Sequence, residues 1–220
     1  MNEYDSLQTA SAGTAVSTSK MVRNTYMLLS LTLLFSAITA GLSVWSGLGN
    51  GAALILMLAS FAMMFWVQKT ADSAQGLIAI FAFTGCLGAA MGPMLSHYLK
   101  LANGPTLVME ALALTSLVFL SLSAYAMTSK RDFSFMGGFL MTGMIVVVVA
   151  GLANIFLHIA VLSMMIPAAI VLLMSGLILF DTSRIVHGGE TNYIRATVSL
   201  YLNFYNLFLA ILQLLGGRQR

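Results

Sequence analysis

Seven runs of apolar residues, each close to bilayer length, make up most of this chain, and short polar stretches separate them. They cover about residues 26–47, 51–67, 77–99, 106–127, 135–157, 161–180 and 197–215. A helix needs about 20 mostly apolar residues to cross a hydrocarbon core roughly 30 Å thick. The pattern therefore predicts an all-α integral membrane protein with seven transmembrane helices. The second run is the shortest and takes Trp66 as its interfacial anchor. The seventh differs from the rest in carrying Ser199, Asn203, Asn206 and Gln213, which fall within about 80° of one another on a helix turning about 100° per residue. Unpaired polar groups in hydrocarbon are costly, so this stripe must face protein or water, and the last helix is expected to be an inner one.

Composition supports this partition. Hydrophobic residues make up 59% of the 220 residues and charged residues 8%, with a mean hydropathy of +0.93. A soluble domain carries about 25% charged residues, so a water-exposed surface could not be covered here. The lone cysteine, Cys86, falls inside the third run and excludes an intramolecular disulfide. The small net charge of +3 reflects sidedness, not a nucleic-acid surface. With the N-terminus in the cytoplasm, Lys20, Arg23, Lys69, Lys130, Arg131, Arg184 and Arg195 lie inside, while Lys100, Arg218 and Arg220 lie outside. The positive-inside rule favours that orientation, and an odd number of spans then puts the C-terminus on the periplasmic side.

One domain is expected over residues 23–217, after a disordered cytoplasmic tail over 1–22 and before a short end at 218–220. The tail is small and polar and has no apolar periodicity. Pro93 follows Gly92 inside the third run and Pro167 lies in the sixth, so each is a candidate kink. Gly85, Gly88 and Gly92 recur along the third run and predict close helix contact through small residues.

No Walker A loop, HExxH or GxSxG is present, and no residue set predicts an enzyme, a cofactor or a firm metal site. Asn154 and His158 share a helix face, which reads as a polar contact between helices. His97, Glu110 and His158 gather at the predicted outer side, either as a cation-attracting vestibule or as interfacial groups reaching headgroups and water. Asp181 ends the sixth run. It either marks the cytoplasmic interface or serves as a proton- or cation-responsive group, with Arg184 one turn on and Lys69 at the end of the second run as candidate partners.

Four passages then place the chain: RNTYMLLSLTLLFSAITA, AFTGCLGAAMGPML, SAYAMTSKRDFSFMGG and ILFDTSRIVHGGETNYIRATVSLYLNFYNLF. In order and spacing they resemble the Bax inhibitor-1 family, most closely its bacterial YccA branch. The resemblance implies six helices around a central seventh in the bacterial inner membrane. It also implies two activities. One is non-enzymatic binding and restraint of the FtsH-type membrane protease and its associated complex. The other is a pH-sensitive calcium leak, with Ca²⁺ as permeant ion, gated by two acids on the sixth and seventh helices. Asp181 matches the first acid, but Asn203 stands at the second position, so a proton cannot be shared there. Asp181, Asn203 and Asn206 still present oxygen ligands to a hard cation.

Overall fold

The computed structural model describes residues 3–129 and 131–217, with side chains from residue 18 onward. Among the described residues eight α-helices follow one another: α1 (Glu3–Trp45), α2 (Asn50–Thr70), α3 (Gln75–Ala90), α4 (Gly92–Leu99), α5 (Gly104–Thr128), α6 (Gly137–Leu157), α7 (Ala160–Val186) and α8 (Tyr193–Gly217), with a 3₁₀ turn (Ser134–Met136) before α6. Seven spans among the described residues are long and apolar enough to cross a membrane, beginning with Thr18–Trp45 and with α3 and α4 together forming the third.

Two sequence expectations shift. The second span is not short: α2 runs on through Gln68, Lys69 and Thr70 to 21 residues, because a helix end reaching the interface can carry polar side chains that an apolar count discards. The tail boundary also moves. Residues 18–22 are helical and continuous with the first span, and Met21 and Val22 pack against the core. Residues 3–17 of the expected tail are helical too, as the first part of α1, while residues 1 and 2 and the end at 218–220 lie outside the described residues.

The third span breaks where Gly92-Pro93 predicts. Pro93 has no N–H to donate to Ala89 four residues earlier, so α3 stops at Ala90 and α4 restarts with the proline in its first turn. The freed Ala89 carbonyl accepts a 2.7 Å hydrogen bond from the Ser43 hydroxyl of α1. That bond needs close approach, and glycine permits it. A Cβ on Gly88 would strike the Ser36 carbonyl, and one on Gly92 would strike the Ser43 hydroxyl. Pro167 has no such effect, since α7 passes through it unbroken. Pro105 sits in the first turn of α5, where a missing N–H costs nothing.

The last helix is the most buried of the seven spans. It packs on α1, α5 and α7 and touches α2 and α3. Leu200, Tyr201, Leu207 and Leu212 are inaccessible to solvent. By contrast α6 buries Leu140 alone and turns Phe139, Ile145, Val149 and Phe156 outward, as a lipid-facing helix should. The connectors between the spans are short.

Candidate functional site

The polar chemistry concentrates where α7 ends and α8 begins. Asp181, partly buried in the penultimate turn of α7, receives a 2.7 Å hydrogen bond at Oδ2 from the Asn203 amide of α8. Asn203 is 5% exposed, so its amide has little water to turn to and the bond is held in a dry setting. At the next residue of α7, Thr182, Oγ1 lies 3.2 Å from the Tyr26 hydroxyl of α1. Deeper along α8, Tyr201 Oη lies 2.7 Å from Ser36 Oγ and donates to the Thr84 carbonyl at 3.3 Å. The buried phenol thus ties α8 to α1 and α3.

Of the stripe on α8, only Asn203 meets the acid. The Asn206 amide donates back to the Leu202 carbonyl of its own helix at 2.8 Å. Ser199 is partly buried. Gln213 is exposed, lining a cavity of about 450 Å³ at the far end with His97, Tyr98 and Ser163. Arg184 does not pair with Asp181. Its Nη2 donates to the Gly189 carbonyl at 3.1 Å, and its guanidinium lies 5.5 Å from the Phe180 ring centroid. The cause is position: at a helix C-terminus a cation finds unpaired carbonyls of its own turn and connector. Lys69 is likewise exposed in the last turn of α2 and makes no ion pair.

Two latches that sequence reading missed hold this end of the molecule. In the first, Asn192 caps α8: its Oδ1 accepts from the backbone N–H groups of Ile194 and Arg195 at 2.9 and 3.1 Å. The same side chain donates to the Ala71 carbonyl and to Asp72 Oδ1, at 2.9 and 2.7 Å. Arg195 adds a 3.0 Å ion pair to Asp72 Oδ2, the one ion pair among the described residues. An asparagine just before an apolar run is a helix-start signal that could have pointed here, but nothing local points to Asp72. In the second latch the fully buried Ser183 donates to Asp132 Oδ1 at 3.1 Å and accepts from the Phe133 N–H at 2.9 Å. His187 Nδ1 lies 3.2 Å from the same hydroxyl and 2.9 Å from the Ser183 carbonyl. The hydroxyl and N–H of Ser134 beside it hold the Asp132 carboxyl below the usual carboxylate range, with smaller contributions from Ser183 and His187. Asp, Ser and His meet here in an order that buries the hydroxyl and aims its proton at the acid. Such a serine is a strut for the α5–α6 connector and presents no nucleophile to a substrate.

At the opposite end each of the three candidate vestibule residues has its own surroundings. His97 lines the cavity just described, and Glu110 is exposed on α5. His158 ends α6 in the left-handed conformation at φ 50°, its Nδ1 3.1 Å from the Phe156 carbonyl. Its helix-face neighbour Asn154 organises the turn into α7, accepting from the Ile159 N–H at 2.9 Å and donating to Ser163 Oγ at 3.1 Å. Among the described residues no three His, Cys, Asp or Glu side chains converge as metal ligands do.

With this geometry established, comparison with known proteins is informative. Residues 18–220 match the family described as "Inhibitor of apoptosis-promoting Bax1". An Escherichia coli K12 protein named "Modulator of FtsH protease YccA" is 49% identical over 205 residues, 93% of either chain. A Vibrio cholerae protein named "Uncharacterized membrane protein" is 48% identical over 98% of this chain and 97% of its own. An uncharacterized protein of Pseudomonas aeruginosa is 43% identical over 90% of this chain and 89% of its own.

Proposed function

This chain belongs to the Bax inhibitor-1 family, and we propose from that premise that it binds and restrains an FtsH-type membrane protease in the bacterial inner membrane, without catalysis of its own. The observation that carries the proposal is the 49% identity, over 93% of both chains, with the E. coli relative named a modulator of that protease. The short connectors fit it as well, for they leave lipid-facing helix surfaces and helix ends as the places where a partner could dock. The orientation proposed with it is a cytoplasmic N-terminus and a periplasmic C-terminus.

A second reading, a pH-sensitive cation leak, draws on the dry contact between Asp181 and Asn203, at the place where the family resemblance puts two acids. The asparagine argues against it, because a neutral amide that donates to the carboxylate leaves no shared proton to titrate. Affinity purification from native membranes, with calcium flux measured in proteoliposomes on the same preparation, separates the two. Co-purification of the protease without flux is the expected result. Flux from the pure protein, with no protease retained, would overturn the proposal.

A further inference from the structure

Within the bilayer-spanning part, α1 packs on α3, α4, α7 and α8, whereas α5 packs on α4, α7 and α8. Between α1 and α5, above α8, runs a crevice of about 540 Å³ that opens sideways and meets α4 at one end. Its α1 wall sets the small residues Ala37, Ala40 and Gly41 among larger ones such as Leu33 and Val44. Leu112 faces them from α5, and Tyr205 and Phe208 form part of the floor. The hydroxyls at the floor are already engaged: Tyr201 with Ser36 at 2.7 Å, and Tyr205 donating to the Leu87 carbonyl at 3.4 Å. An occupant would find no free hydrogen-bonding group, so it must be apolar, and a crevice opening sideways in the spans admits it from the membrane.

Size and charge narrow the choice. A transmembrane helix, about 10 Å across and about 30 Å long, has several times the crevice's volume, whereas small ligands occupy sites of about 300–1,000 Å³. Leu99 lines the crevice at its α4 end. The next residue, Lys100, is exposed and makes no ion pair, which places a cation at the level of the lipid headgroups. We propose that the crevice between α1 and α5 holds one acyl chain of a phospholipid whose phosphate sits at Lys100.

The test is native mass spectrometry of the full chain released from vesicles of phosphatidylethanolamine and phosphatidylglycerol. Gly41→Phe blocks the mouth, and a Cβ there meets nothing within 4 Å, so the backbone need not move. Gly138→Phe on α6 is the control, since its Cβ site is equally open but faces bulk lipid away from the crevice. The wild type and Gly138→Phe should each retain one phospholipid through delipidation. Gly41→Phe should lose it by about tenfold or more, the effect of excluding about two methylene groups. Ala37→Phe, one turn earlier on the same wall, repeats the block should Gly41→Phe fail to insert. Lys100→Glu should weaken retention severalfold. The proposal is overturned if the wild type keeps no lipid, if both blocking variants keep it as well as Gly138→Phe does, if Lys100→Glu changes nothing, or if a polypeptide is retained in place of lipid.

Discussion

Asn203 decides what kind of polar centre this molecule has. Its amide donates to Asp181 across 2.7 Å and replaces what would otherwise be a pair of acids competing for one proton. Asn203→Asp would bring two carboxylates within hydrogen-bonding distance, and such a pair titrates as a unit. Calcium flux in proteoliposomes should then become steeply pH-dependent in the variant and stay flat in the wild type, while the added Asp181→Asn change should remove the response. Equal pH dependence in wild type and variant would refute this role for the asparagine. The same contact has a stability consequence. Asn203→Leu removes the donor and leaves the acid buried without it, a loss of about 1–3 kcal/mol that thermal unfolding in detergent would register.

Between helices, the two latches differ in what they contribute. Asn192 satisfies two N-terminal N–H groups of α8 and reaches the α2–α3 connector as well. Asn192→Ala should therefore cost about 1–2 kcal/mol, the upper range for a lost cap. Arg195→Gln should cost less than about 1 kcal/mol, since its partner Asp72 is 78% exposed and such pairs contribute little. Equal losses in the two variants would mean that the ion pair, not the cap, holds the connector. The Asp132 latch answers to pH in a defined sense. Its folded carboxyl is depressed by the Ser134 hydrogen bonds, so its contribution is complete above the unfolded carboxylate value of about 3.9 and is lost only as pH falls through the lower folded value. Amide exchange over residues 131–136, corrected for intrinsic rate, should be flat from about pH 5 to 8. A loosening within that range would refute the carboxylate as what governs the connector's response to pH.

For the whole molecule, the proposed orientation rests on an odd number of spans, which would separate the two termini, and on the distribution of basic residues, which would choose their sides. Reporter fusions at Met1 and Arg220 should read cytoplasm and periplasm respectively. Both ends on one side would mean that a segment is re-entrant, and α6, with its single buried side chain, is not the one to suspect. It carries no charged residue, and unpaired backbone at membrane depth would not survive without a full helix.

Sequence alone determined the number of spans, the break at Gly92-Pro93, the glycine contacts of the third span and the polar face of the last helix. Each of these follows from local rules: apolar length against bilayer thickness, a missing N–H, an absent Cβ, a 3.6-residue period. It also placed Asp181 and Asn203 at one site, though only through resemblance to relatives. The tertiary structure alone decided the partners. Arg184, three residues from Asp181 and of opposite charge, turned to its own helix end because unpaired carbonyls lay nearer. His97, Glu110 and His158 were grouped by predicted side alone, and among the described residues they form no metal-ligand group. Asp72 met Asn192 and Arg195, and Asp132 met Ser183, across gaps of 51 to 123 residues. A polar side chain at a helix end has several satisfactory partners within local reach, and its choice depends on which distant connector packing brings beside it.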